Sequence, residues 1–144
     1  MSMGKNFTSV FDLWAHNGYN RNTNYKKRRD IMCNQSQAIA ILGEVYAACN
    51  PVFGNTIKDA YLYGSYARGD YHTESNIDIL LAVDLEQDAI SKLRNRIGLI
   101  TSDLSLKHDV TVFVTVKPFA QFRQYADVLP YYKNVLGEGI RYAS

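Results

Sequence analysis

Gly64-Ser65 and, after ten intervening residues, the stretch Asn76-Ile77-Asp78 are the residues of this sequence best suited to handling phosphate. Glycine lets a backbone approach a ligand closely, and a serine at the start of a helix sets a hydroxyl beside amides without intrahelical partners. Taken alone, Gly-Ser is equally an ordinary helix N-cap. Positions 76 and 78 lie two apart on a strand, so their side chains share a face. Asp109 opens a later strand, and if that strand lies beside the first, its carboxylate joins the cluster. Acids gathered so closely repel unless divalent cations neutralise them, which points to Mg2+ or Mn2+. The first of the three positions, however, holds Asn76. An amide oxygen still coordinates a metal, but one full negative charge is lost, at an expected cost on the order of a hundredfold in affinity and rate. Asp and Asn are nearly isosteric, so the fold should not register the change.

The elements that must position these residues are legible in the apolar pattern. Ile31, Ala38, Leu42, Val45 and Cys49 recur at helical spacing, which predicts a helix from about Asp30 to Asn50-Pro51. IKDAYLYG (57–64) predicts a strand stopping at Gly64, with a short helix from Ser65. NIDILLAVDL (76–85) is nearly continuously apolar past Asp78, as a central strand covered on both faces would be. Residues 87–106 return to helical spacing, and DVTVFVTV (109–116) is the most β-branched run in the chain, hence a strand. Pro118 closes it. Helices follow from Phe119 to Tyr125 and from Leu129 to Leu136, with Ile140–Tyr142 as a short edge strand. The fold class is α/β (α+β), a small mixed sheet with flanking helices and no internal repeat.

A chain of 144 residues, 47% hydrophobic, suffices for one core and is too short for two ordinary domains. We expect a basic, weakly ordered extension over 1–30 and a single domain over 31–144. The extension carries six Lys/Arg against two Asp, while the remainder carries ten against twelve. Its run Lys26-Lys27-Arg28-Arg29 could touch nucleic acid, but no stacking aromatics are interleaved, and a solvated arm accounts for it as well. No apolar run spans a membrane and no export signal opens the chain, which points to the cytoplasm. Cys33 and Cys49, apart from any His cluster, read as reduced thiols.

The succession GSYARG (64–69), ESNID (74–78) and HDVTV (108–112) resembles the minimal nucleotidyltransferase family of the polymerase-beta-like superfamily. Members typically read Gly-Ser-x-Ala-Arg-Gly, a variable loop, Ser-Asp-x-Asp, and a third Asp on a later strand. LPYYKNVLGEGIRYA (129–143) also looks like the closing segment of bacterial members, so the resemblance covers about residues 35–143. It implies that Gly64 and Ser65 hold the phosphates of a nucleoside triphosphate, that Asn76, Asp78 and Asp109 stand at metal-ligand positions, and that Asp78 and Asp109 are catalytic. Asp78 would bridge the two cations, and Asp109 would help deprotonate the attacking hydroxyl. Arg68 lies in the motif, where it serves nucleotide binding or simply pairs with an acid such as Asp70. The implied reaction moves a nucleoside monophosphate, usually AMP from ATP, onto a hydroxyl and releases pyrophosphate.

Single-domain relatives of this kind resemble antitoxins that work beside a small helical HEPN-type protein, some adenylylating a tyrosine on it. Acceptor specificity must then come from such a partner or from a homodimer. Two rivals remain: transfer to a small hydroxylated molecule such as an aminoglycoside, and a binding module whose Asn76 marks lost catalysis. Asn76 itself is a slow natural variant, a natural pseudoenzyme or a deliberate substitution. Among other conspicuous residues, His72 reads as a loop residue or a substrate contact. His108 reads as a loop cap or a tuner of Asp109, and His16 has no readable partner. Tyr61, Tyr63, Tyr66 and Tyr71 form a base-stacking wall or fill the core, and Tyr131 and Tyr132 dock a partner or simply pack.

Overall fold

The computed structural model describes residues 33–143. The expected basic extension and His16 lie outside them. Helix α1 (Gln35–Val52) begins at Asn34, whose side chain accepts from the Gln37 amide while the Gln37 side chain accepts from the Asn34 amide. This reciprocal capping satisfies two amides that the first turn leaves open, and it sets the start at Gln35 rather than near Asp30. Strand β1 (Ile57–Tyr63), the single-turn helix α2 (Ser65–Arg68) and strand β2 (Ile77–Val83) follow. Next come α3 (Gln87–Lys92), α4 (Arg94–His108) and β3 (Val112–Pro118), then α5 (Phe119–Tyr125), α6 (Pro130–Glu138) and the two-residue β4 (Ile140–Arg141).

The four strands form one mixed sheet in the order β3-β2-β1-β4. The strand β1 runs antiparallel to β2 and β4, whereas β2 and β3 are parallel, as a connection through two helices allows. The expected element order therefore holds, with two differences. The helical stretch after β2 breaks at Leu93 into α3 and α4. Strand β3 starts at Val112, not at Asp109, because α4 runs on to His108 and its reversal consumes the next residues.

Alternation along the strands sorts the sheet into two faces. Leu62, Ile77, Ile79, Leu81, Val83 and Val112 pack with Ala38, Ile41, Leu42 and Val45 of α1 and with Ile90 and Ile97 of α3 and α4. On the opposite face Tyr61, Leu80 and Ala82 meet Phe122 of α5 and Tyr132 and Val135 of α6. Both faces of β2 are thus buried from Ile79 onward, which explains its near-continuous apolar sequence. The second cluster is small and covers β2 only from Leu80, so that face is open at the end where Asp78 lies.

Ile79 is fully buried in the larger cluster. Truncation there removes packed apolar contacts and leaves a cavity, so Ile79→Ala should cost about 2–5 kcal/mol of unfolding free energy, read as a lowered midpoint in urea denaturation.

Candidate active site

At the open end of the sheet, Tyr63, the last residue of β1, pairs with Asp78 of β2. Gly64 comes next, at φ 77° and ψ −157°, a backbone region that essentially only glycine occupies. A Cβ at this position would lie 2.5 Å from Asp78 Oδ2, so the absent side chain also makes room for the carboxylate. The chain then coils into α2, where the amides of Ala67 and Arg68 donate to the Gly64 carbonyl and that of Gly69 to Ser65. Since Ala67 is the first to donate within the turn, the Ser65 and Tyr66 amides and the Ser65 hydroxyl begin it, beside Asp78.

The turn is held from behind. Gln35 Nε2 of α1 donates to the carbonyls of Tyr66 at 3.0 Å and Ala67 at 3.1 Å. Tyr66 is buried and stacks on Tyr71 with ring centroids 4.5 Å apart. Burial, more than the neighbouring Cys33, pushes its phenol up to about 12, so Tyr66 is a neutral post under the turn. Tyr61 belongs to the core against Phe122, while the Tyr63 hydroxyl lies 2.8 Å from that of Tyr131. Tyr131 is partly exposed beside the site, and burial raises its phenol. Tyr132 is buried and accepts from Gln121 Nε2 at 3.1 Å, so the two adjacent tyrosines have different surroundings.

Asp78 is half-buried, and desolvation lifts its carboxyl above the ordinary range, partly offset by the charge of Arg68. Arg68 pairs with Asp70 at 3.2 Å and with Glu138 of α6 at 3.2 Å, so it ties α2 to the closing helix while its field reaches Asp78. Asn76 is exposed one residue before β2, where continued alternation sets it on the face of Asp78.

Asp109 is placed differently from the sequence expectation. It is the left-handed C-cap of α4 (φ 55°, ψ 42°), a helix packed against the sheet face opposite Asp78. Strand adjacency therefore does not bring it beside Asp78; in the β2–β3 register Asp78 faces Phe113, which is 53% exposed. Sequence reasoning missed Phe113, and a pairing of ILLAV with VTVKP would have been the signal. His108 Nε2 lies 2.9 Å from Glu44 Oε2 on α1, a contact with the helix layer. The His72 Nδ1 accepts from the Glu74 amide within its own loop. Among the described residues no group of three His, Cys, Asp or Glu is arranged to hold a metal ion. A separate cleft of about 210 Å³, lined by Phe53, Ile90, Arg94, Ile97 and Val114 among others, opens elsewhere, between α3, α4 and β3.

A glycine-initiated turn closing on a strand-borne aspartate can be compared with known proteins. Residues 49–129 match the family model described as "Polymerase beta, Nucleotidyltransferase". The chain belongs to this nucleotidyltransferase family. Two similar proteins of Methanocaldococcus jannaschii both carry the name "Putative protein adenylyltransferase". One is 36% identical over 106 residues, covering 74% of this chain and 95% of that protein. The other is 33% identical over 76 residues, covering 53% of this chain and 75% of that protein. The mixed four-stranded sheet with flanking helices is the polymerase-beta-like nucleotidyltransferase fold. As a nucleotidyltransferase, the protein is an enzyme of a family that generally uses a nucleoside triphosphate and a divalent metal. Among the described residues no helix is long and apolar enough to cross a membrane.

Two substitutions probe this geometry. Gly64→Ala should cost about 1–3 kcal/mol through backbone strain and displacement of the Asp78 carboxylate, measured by chemical denaturation. Asp78→Asn should raise thermal stability at neutral pH. With its pKa raised in the fold, the carboxyl destabilises the native state as pH climbs from the ordinary value near 3.9 through the folded value, and the penalty then persists. Thermal melts should therefore separate variant and parent at pH 7 and converge below about pH 3.

Proposed function

We propose that this nucleotidyltransferase moves AMP from ATP to a hydroxyl group on a partner protein in the cytoplasm. The observation that carries the reading is the closure of the Gly64-Ser65 turn on Asp78 at the uncovered end of a sheet. The names of the two archaeal relatives support the adenylyl group and the protein acceptor. In this reading the Ser65 hydroxyl and the first amides of α2 hold the triphosphate, and Arg68 supplies positive charge beside Asp78. The acceptor hydroxyl gives up its proton to solvent, its oxygen forms an ester bond to the α-phosphorus, the bond from that phosphorus to the bridging oxygen breaks, and pyrophosphate leaves. The acceptor protein is then a small helical protein of HEPN type. A divalent cation, when bound, neutralises phosphate charge. Among the described residues, the side chains around Asp78 do not fit a centre for two such ions.

A second reading is favoured by Asn76, which removes a charge from the expected donor set: a nucleotide-binding module that acts on its partner by contact alone. Incubating the chain with radiolabelled ATP, Mg2+ and an extract of the native host separates the two. Label on a protein band supports transfer, whereas stable association of a partner without label supports the binding module. The phosphate turn has its own test. A hydroxyl donating to a charged phosphate contributes about 1.5–3 kcal/mol, so Ser65→Ala should weaken ATP binding on the order of tenfold to a hundredfold by calorimetry. Unchanged affinity would remove Ser65 from the site.

A further inference from the structure

Four positions on its own sheet face surround Asp78. Asn76 and Leu80 lie two residues away along β2, Tyr63 pairs with it from β1, and Phe113 pairs with it from β3. Paired cross-strand side chains start about 4.5–5.5 Å apart and those two residues apart along a strand about 6.6 Å, close enough for two carboxylates to converge on one cation with bonds of about 2.0–2.6 Å. None of the four adds a charge, since they are an amide, an alkyl chain, a phenol and a phenyl ring. Leu80 is sealed in the smaller core, and Tyr63 is engaged by Tyr131. Positions 76 and 113 are the two left open to solvent.

Phe113 belongs to neither core cluster and is more than half exposed, so packing does not demand a phenyl ring there. The nearby acids Asp70 and Glu138 both face Arg68, which already balances them. We infer that Phe113 occupies the cross-strand place from which a second carboxylate would have to reach a cation held by Asp78. The site therefore presents a single carboxylate to divalent metal, and residues 76 and 113 together set its metal affinity. Restoring a carboxylate at position 76 alone leaves the centre one charge short. The inference rests on the reading of Asp78 as the residue that faces metal and phosphate.

Mn2+ alone, titrated into the intact chain without nucleotide and followed by the electron paramagnetic resonance of the free ion, provides the test. The parent should bind with a dissociation constant of about 1 mM or weaker. Asn76→Asp and Phe113→Asp should each tighten binding on the order of tenfold, and the pair together on the order of a hundredfold. The pair Asn76→Asp with Phe113→Asn, which adds no second charge, should bind no better than Asn76→Asp. A parent that saturates below about 0.1 mM overturns the inference, whatever the variants do. So does a double carboxylate variant that binds like the parent while its circular dichroism and melting curve are unchanged. If Phe113→Asp does not fold, Phe113→Glu takes its place and must tighten binding by a similar factor. Because nucleotide is absent, the outcome is independent of ATP binding: loss of the phosphate-turn reading would appear in the Ser65→Ala calorimetry and leave this result standing.

Discussion

The antiparallel pairing of Tyr63 with Asp78 is the constraint on which the rest of this structure depends. It places the residue after Tyr63 directly against a carboxylate, and the 2.5 Å approach that a Cβ would make there leaves glycine as the residue that fits. The same glycine, in a conformation closed to other residues, turns the chain out of the sheet and into a helical turn. The first amides of α2 and a half-buried acid are thus coupled through one backbone position, and Gln35, Tyr66 and Tyr71 hold that position from the α1 side.

Coverage of the sheet decides where such a pair can work. The face under α1, α3 and α4 is closed over the length of β2, and a carboxylate there would be desolvated without recompense. The other face is capped by α5 and α6 only from Leu80 onward, leaving Asp78 half-buried, with a raised pKa and the field of Arg68 nearby. Arg68 has two duties in this arrangement. Its ion pairs with Asp70 and Glu138 anchor the turn to the closing helix, while its charge acts on Asp78. Its surface ion pairs are exposed and contribute little to stability, so position rather than energy is what they secure.

The chemical neighbourhood of Asp78 is more aromatic than ionic. Tyr63, Tyr131 and Phe113 are on or beside its face, where an enzyme handling two cations would concentrate acids. Membership in the nucleotidyltransferase family and the composition of this particular site are accordingly separate facts, resting on fold and on side chains respectively.

Much of this was readable from the chain. Period-two and helical patterns located the strands and helices in order, and Gly64-Ser65 marked the turn because its chemistry is local. The helix start at Gln35 is not legible in the spacing, since Ile31 continues the apolar pattern and only the Asn34–Gln37 capping exchange marks the boundary. Asp109 looked like a strand residue because it precedes a β-branched run, yet the end of α4 takes it as a left-handed cap. By itself, then, the sequence determined the order of the elements, the glycine-started turn after β1 and the absence of a charge at Asn76. Only the tertiary structure decided which residue of β3 stands beside Asp78, because the apolar pattern fixes which face each residue takes, while a shift by two residues keeps those faces and is excluded only by the packing of α3 and α4 across the sheet.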